Sequence, residues 1–279
     1  MDDKEETIDV FKWSGNEQSE SVKRNKRLLS TIDLEADRLA DVQRDAEIYF
    51  DPSSRRFYEA NGTPYRRGFL LYGPPGCGKT SLSVALASHV SVPLYIISLA
   101  DIDDNELGKL FAKLPDRCVA LLEDIDSAGV SQAATNEDDS NEERRTGPPK
   151  DQKAEEKPTP RAEKKVTLSG LLNAIDGACS AEGRLLIMTT NAPKSLDPAL
   201  IRRGRIDKII KMGYSNKETA EITFKRFFWQ DPMNVFKEER IDRLAREFAK
   251  QMPKRSRITP AEVAGFCMNH RGNPSQAVA

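Results

Sequence analysis

Short apolar runs separated by amphipathic stretches extend from residue 68 to residue 212. Five of these runs have the length and apolar content of buried strands: 68–72, 93–98, 118–122, 184–190 and 206–212. Amphipathic stretches at 79–90 and 103–113 follow the first two runs and predict helices. Strands that alternate with helices favour a doubly wound parallel sheet. We therefore predict an α/β fold built on a five-stranded parallel sheet.

Helical periodicity dominates both sides of this region. Four apolar side chains recur at steps of three and four residues and predict an amphipathic helix over 34–50: Leu39, Val42, Ala46 and Tyr49. Asp33 stands where the N-cap of that helix belongs. After Tyr214 the pattern predicts helices at 216–230, 237–250 and 259–270. The C-terminal end is therefore predicted to form a small all-helical lid domain.

Composition divides the chain further. Residues 1–30 are polar and charged and form a predicted flexible segment, with a remnant of an upstream domain as one interpretation. Residues 129–165 carry acids, bases and prolines with hardly any apolar side chain, so they cannot bury enough surface to offset their ordering entropy. We predict a disordered insertion there, either a solvated spacer or a regulatory, partner-binding segment. The α/β domain then spans 31–213 and the helical lid 214–279.

Charge and cysteine content narrow the function classes. The 279 residues carry a net charge of −1, with 38% hydrophobic and 31% charged residues. Balanced charge gives no electrostatic footprint for nucleic acid, so we expect no nucleic-acid partner. No apolar run approaches the roughly 20 residues of a transmembrane helix, and the acidic N-terminus resembles no signal peptide; we expect this chain to be soluble. The four cysteines are too widely spaced for a metal site or a disulfide scaffold and are expected to be reduced.

The strongest chemical signal is the segment GPPGCGKT at 73–80, which matches G-x-x-x-x-G-K-[ST] in full. It follows a predicted strand and opens a predicted helix, as a phosphate-binding loop requires. Glycines let backbone N–H groups approach phosphate oxygens, and the helix N-terminus adds positive potential. Lys79 is placed for the terminal phosphates of ATP, and the Thr80 hydroxyl for Mg²⁺. The predicted nucleotide-binding residues are Gly73, Pro74, Pro75, Gly76, Cys77, Gly78, Lys79, Thr80 and Ser81.

Acidic residues end the third predicted strand in the order Glu123-Asp124. A carboxylate at the tip of a buried strand beside a phosphate loop can hold Mg²⁺ through water, and a second can polarise the attacking water. By position Glu123 is the predicted metal carboxylate and Asp124 the predicted catalytic base. This order is the reverse of the Asp-Glu pair that most related ATPases carry. Asp126 is predicted to be either a third functional acid or a helix cap.

Polar and basic residues follow the fourth predicted strand. Asn191, in Thr189-Thr190-Asn191, can orient the lytic water next to the terminal phosphate. Arg202 and Arg205 lie beyond the sheet, where they cannot easily reach their own phosphate loop but can reach that of a neighbouring subunit. An arginine supplied in trans stabilises the transferred phosphoryl group and is worth roughly 10³–10⁵ in rate. We predict catalytic roles for these three residues. The alternatives are a plain turn residue for Asn191 and an ion pair or a solubilising charge for each arginine.

These residues together resemble the AAA ATPases, from about residue 29 to residue 275 apart from the insertion. The phosphate loop, Thr189-Thr190-Asn191 and the run LDPALIRRGRID at 196–207 carry the resemblance. Within the AAA ATPases, further segments resemble the Bcs type, the mitochondrial respiratory complex III assembly chaperone family. They are TPYRRG at 63–68, the Glu123-Asp124 pair, LSGLLNAIDG at 168–177 and ITPAEVAG at 258–265.

The resemblance implies an α/β nucleotide domain with a helical lid, ATP and Mg²⁺ as ligands, and a homo-oligomeric ring of six or seven subunits. It implies chaperone-like assembly or translocation of a protein substrate. It also implies a parent protein anchored in the mitochondrial inner membrane through a segment absent here, with the AAA domain facing the matrix. The loop at 99–104 has no aromatic residue, so a bulk shape change of the ring is favoured over threading. Alternatives are a nucleotide-binding scaffold with little turnover and a nucleic-acid-acting AAA protein.

Overall fold

The computed structural model describes residues 6–13, 20–100, 102–126, 165–177, 182–229, 231–233, 235–253 and 257–279. The predicted disordered insertion lies outside these ranges, apart from Lys165 at its end. None of the helices within them combines the length and the hydropathy that crossing a bilayer requires.

One sheet organises the larger part of the described chain. Its seven strands are β1 (Thr7–Trp13), β2 (Glu20–Asn25), β3 (Arg67–Tyr72), β4 (Leu94–Ser98), β5 (Val119–Glu123), β6 (Leu185–Thr190) and β7 (Lys208–Lys211). They lie in the order β2-β1-β4-β5-β6-β3-β7, and neighbouring strands are parallel except β1 and β2. The α/β class and the five predicted strands are confirmed, but the total of five is wrong by two.

The two additional strands lie in the segment predicted to be flexible. Ile8 and Val10 alternate with exposed positions and are buried, which is the period of a strand covered on one face. β1 pairs with β4 in the register Val10↔Leu94, and the Phe11 ring stacks on Tyr95 with 4.5 Å between centroids. The alternation is present in the sequence, but the many charged neighbours mask it.

Helices cover both faces of the sheet. They are α1 (Ala36–Phe50), α2 (Ser54–Ala60), α3 (Lys79–His89), α4 (Asp104–Lys113) and α5 (Leu168–Asp176). Phe69 and Leu71 of β3 belong to the core under α1 and α3, whereas Leu70 belongs to the core under α4 and α5. β3 is therefore buried on both faces, which is why it reads as a continuous apolar run.

The lid consists of α6 (Lys217–Trp229), α7 (Glu238–Gln251) and α8 (Pro260–Asn269), near the predicted bounds. Phe224 is its centre, with ring centroids 4.5 Å from Phe228 and 5.2 Å from Phe248. Thr259 caps α8 in a reciprocal pair of hydrogen bonds with Glu262. The lid thus has an apolar core of its own, separate from those of the sheet.

Asp33 attaches the lid to the α/β domain, and its predicted role as N-cap of α1 is wrong. Helix α1 begins at Ala36, and Glu35 takes the cap position without a side-chain cap bond. The Asp33 carboxylate instead accepts a hydrogen bond from the Thr223 hydroxyl at 2.6 Å and pairs with Arg226 at 3.0 Å. An ion pair across two domains outcompetes a local cap because it satisfies a largely buried arginine as well as the carboxylate.

Candidate active site

The phosphate loop joins the end of β3 at Tyr72 to the start of α3 at Lys79. Gly76 and Gly78 adopt φ of +75° and +91°, a left-handed region in which side chains are strained. A Cβ atom on Gly73 would lie 1.8 Å from the carbonyl oxygen of Met212. The loop therefore keeps its shape only with glycine at these positions, and its backbone N–H groups remain available to an anion.

Lys79 lies inside this loop and is largely buried. Its Nζ donates to the carbonyl oxygens of Gly73 at 2.9 Å and Pro74 at 3.2 Å, and to Oδ1 of Asn191 at 2.7 Å. The ammonium is thus held between the loop and the end of β6. That contact is possible because β6 lies next to β3 in the sheet.

Thr80 and Glu123, the two predicted metal residues, are in direct contact. The Thr80 hydroxyl donates to Oε1 of Glu123 at 2.6 Å, at the exposed mouth of the loop. A hydroxyl oxygen and a carboxylate are hard oxygen ligands of the kind that Mg²⁺ prefers. The chemistry of this pair of donors therefore fits Mg²⁺, with Thr80 and Glu123 as the residues that would hold it.

Asn191 also contacts the predicted base. Its Nδ2 donates to Oδ1 of Asp124 at 3.2 Å, and its backbone N–H donates to Oδ1 of Asp126 at 3.2 Å. Asp124 has a φ of +46°, uncommon for a residue with a side chain, and its N–H is held by the Thr189 hydroxyl at 3.0 Å. The exposed Asp124 carboxylate is therefore aimed by its backbone and by the Asn191 amide.

The predicted arginines lie apart from this group. The Arg205 carbonyl packs against Gly68, where an added Cβ would approach it to 1.7 Å. Gly68 is near the beginning of β3 and the phosphate loop follows its end, a separation of about 13 Å at roughly 3.3 Å per residue. Arg205 and the adjoining Arg202 are thus at the end of β3 opposite to the phosphate loop.

A cavity of about 1040 Å³ opens between α3, the chain leading into α1, and the lid. Thr80 and Ser81 of α3 are among the residues that line it. Leu28, Phe227 and Ala264 also contribute to the lining. Sequence reasoning missed these three residues because they come from separate elements and form no motif.

Cys77 lies in the phosphate loop with its thiol buried. Burial raises the pKa of this thiol, although the nearby Lys79 ammonium opposes the shift. Cys118 and Cys267 are also buried and unpaired, whereas Cys179 lies outside the described residues. A raised pKa keeps the thiol of Cys77 protonated near neutral pH and hence a poor nucleophile.

Comparison with known families identifies this architecture. Residues 69–147 and 151–214 match the family described as "ATPase family associated with various cellular activities (AAA)". Residues 217–279 match the lid described as "Mitochondrial chaperone BCS1-like, ATPase lid domain". The chain therefore belongs to the AAA family of ATPases and carries a lid of the BCS1-like type.

Among curated proteins, the chain is similar to the mitochondrial chaperone BCS1 of Homo sapiens, with 35% identity over 259 residues. That match covers 91% of this chain and 55% of the human protein. The probable mitochondrial chaperone bcs1 of Schizosaccharomyces pombe is 37% identical over 75% of the chain and 42% of its own length. Protein HYPER-SENSITIVITY-RELATED 4 of Arabidopsis thaliana is 35% identical over 86% of the chain and 38% of its own length. The chain spans about half the length of the human relative and less than half of the other two.

Proposed function

We propose that this chain hydrolyses ATP at the group formed by Lys79, Thr80, Glu123, Asp124 and Asn191. The observation that carries the proposal is the pair of hydrogen bonds through which Asn191 joins Lys79 to Asp124. This contact brings a cation for the phosphates and a base for water to one place. Membership of an ATPase family supports the same activity.

Each residue then has a defined task. Backbone N–H groups of the glycine-rich loop bind the phosphate oxygens, and Lys79 leaves the loop carbonyls for the terminal phosphates. Thr80 and, through water, Glu123 would hold Mg²⁺, which would supply positive charge to neutralise the phosphates. Asp124 accepts a proton from the attacking water while Asn191 orients that water. The water oxygen bonds to the terminal phosphorus, the bond from that phosphorus to the bridging oxygen breaks, and ADP leaves with the electron pair as phosphate is released. The base and ribose occupy the cavity between α3 and the lid.

The site is completed by a second subunit in this proposal. Arg202 and Arg205 lie at the end of the sheet away from their own phosphate loop, which supports a role at the site of a neighbouring subunit. We propose a homo-oligomeric ring of six or seven subunits, consistent with the usual assembly of the family. Specific activity that rises with protein concentration is expected of a shared site, and activity independent of concentration contradicts it.

The names of the relatives suggest the wider role. Several are mitochondrial chaperones, so we propose that hydrolysis drives chaperone-like assembly or translocation of a protein substrate in mitochondria. In this proposal the parent protein is anchored in the inner membrane and the AAA domain faces the matrix.

The experiment that tests the activity is steady-state phosphate release by the chain beside its Asp124→Asn variant. We expect the variant to lose about 10²–10⁴-fold in kcat, the usual contribution of a positioned base, while it still binds a fluorescent ATP analogue. Asp37→Asn, an exposed position on α1, is the matched control and should keep the wild-type rate. A chain that binds the analogue but releases no phosphate would instead be a nucleotide-dependent scaffold.

A further inference from the structure

We propose that Asp176, at the carboxyl end of α5, is a positioning residue for Arg205. Its carboxylate and the Arg205 guanidinium form a fixed ion pair, the brace. The brace leaves Arg202 as the arginine presented to the neighbouring subunit. This inference rests on the proposed function, since it assumes that an arginine acts in trans. It assigns different tasks to two arginines that look equivalent in the sequence.

The Arg205 guanidinium is held at two points. Its Nε donates to Oδ2 of Asp176 at 2.6 Å, and its Nη1 donates to the carbonyl oxygen of Ala199 at 2.6 Å. The side chains of Arg205 and Asp176 are 18% and 32% exposed, so water screens the pair only partly. Two bonds on different nitrogens fix the plane of the group. A phosphate would have to compete with a carboxylate already in place.

Asp176 is itself on a fixed support. Helix α5 is anchored at its beginning by Thr167, whose N–H and hydroxyl donate to the Asp104 carboxylate at 2.8 and 2.7 Å. The same hydroxyl accepts the N–H of Gly170 as the helix cap. Leu171 is buried against the sheet. The position of the Asp176 carboxylate is therefore set by the fold and not by Arg205 alone.

Arg202 differs in both contact and exposure. Its side chain is exposed, and within the described part of the chain it makes no ion pair or side-chain hydrogen bond. Its carbonyl oxygen accepts the N–H groups of Arg205 and Ile206, both at 3.1 Å. These backbone bonds close the turn from which Arg202 projects, and the Arg205 side chain ties that turn to Asp176 and Ala199. Loss of the brace would loosen that turn without removing the Arg202 charge.

Mixed assemblies separate these tasks. An acceptor chain carries Arg202→Ala with Arg205→Ala and keeps an intact hydrolytic site. A donor chain carries Asp124→Asn and keeps both arginines. Neither should hydrolyse ATP alone, and mixing them should restore phosphate release because donor arginines complete acceptor sites.

Further changes are then made in the donor only. Adding Arg202→Ala should abolish the restored activity, a loss of about 10³-fold or more. Adding Asp176→Asn or Arg205→Ala should lower the restored kcat about ten- to a hundredfold, the scale of a small misplacement, without changing KM for ATP. The two changes together should lower the restored kcat no further than either change alone, because both break the same contact. Asp176→Glu, which keeps the carboxylate, should recover most of the rate.

Two results would overturn the inference: a donor with Asp176→Asn that restores full activity, or a donor with Arg205→Ala that fails as completely as one with Arg202→Ala. Failure of the unmodified donor to restore activity would contradict the shared site of the proposed function instead.

The brace can also be tested without hydrolysis. Nuclear magnetic resonance measures the rate at which arginine Nε–H protons exchange with water, and a hydrogen bond slows that exchange. Arg205 should be protected in the wild type and in Asp176→Glu but not in Asp176→Asn, whereas Arg202 should exchange rapidly in all three. Equal exchange of Arg205 and Arg202 in the wild type rejects the brace whatever the ATPase rates are.

Discussion

The amide oxygen of Asn191 accepts a hydrogen bond from the Lys79 ammonium at 2.7 Å. These residues are 112 positions apart in the chain, and the contact exists because their strands are neighbours in the sheet. The other end of the same amide reaches the Asp124 carboxylate. One side chain therefore connects the phosphate loop to the acidic strand end.

Asn191→Ala should separate binding from chemistry. We expect kcat for phosphate release to fall about 10²-fold, the usual cost of one preorganised donor, because Asp124 and the lytic water lose their orientation. The KM for ATP should change little, since the loop and Lys79 remain. Asn61→Ala at the end of α2, far from the site, serves as control. A rise in KM with unchanged kcat would assign Asn191 to binding alone.

Two glycine substitutions should have opposite effects on stability. Gly73→Ala places a methyl group 1.8 Å from the Met212 carbonyl oxygen, so it should lower the melting temperature and abolish binding of an ATP analogue. Gly108→Ala, on the exposed side of α4 with no atom within 4 Å of the new Cβ, should stabilise the protein by about 0.5–1 kcal/mol. Thermal unfolding of both variants beside the wild type provides the measurement. A Gly73→Ala protein that binds nucleotide normally would disprove the close approach.

The contribution of Asp33 to the free energy of unfolding can be compared with that of a surface ion pair. Asp33→Asn should lower the free energy of unfolding in urea by about 1.5–3 kcal/mol, since hydrogen bonds to a charged group from Thr223 and Arg226 are weakened. Glu221→Gln, which breaks the pair of Glu221 with Lys225 on the lid surface, should cost about 0.3–0.5 kcal/mol. Equal losses in the two variants would mean that Asp33 contributes no more than an exposed pair.

Alkaline pH should destabilise the protein through a buried thiol. Burial raises the pKa of Cys118 from 9.0 to about 12. The unfolded chain therefore loses this proton first, and the stability gained from the neutral buried thiol is present below pH 9 and lost as pH rises toward 12. Linkage gives a decrease of up to about 1.4 kcal/mol per pH unit for this group.

Urea unfolding between pH 8 and pH 10 measures this slope. Cys118→Ala should have a shallower slope than the wild type, with Cys267 left to contribute in both proteins because burial raises its pKa in the same way. Identical slopes would mean that Cys118 ionises alike in the folded and unfolded states.

Local motifs made much of the candidate active site predictable. The loop at 73–80, the acids after β5 and the amide after β6 each occupy a few consecutive residues, and parallel strands bring their ends together. The resemblance of the arginine run to the AAA ATPases was equally local. These signals needed no knowledge of long-range packing.

Features that depend on distant partners escaped sequence reasoning. Strand β1 is stabilised by pairing with β4, more than 80 residues away, and its charged neighbours conceal the alternation of Ile8 and Val10. Asp33 looked like a helix cap because its partners on α6 are invisible locally. The Asp176–Arg205 pair joins two segments that each match a family motif, yet neither motif reveals the contact.

Strand β1 has a mechanical consequence. It runs parallel to β4 over the register from Val10↔Leu94 to Trp13↔Ile97. A force applied to residue 7 along the strand axis loads the hydrogen bonds between β1 and β4 simultaneously, in shear. They would therefore not break one after another. Strand β1 would thus transmit tension applied at residue 7 directly into β4, the strand that precedes α4.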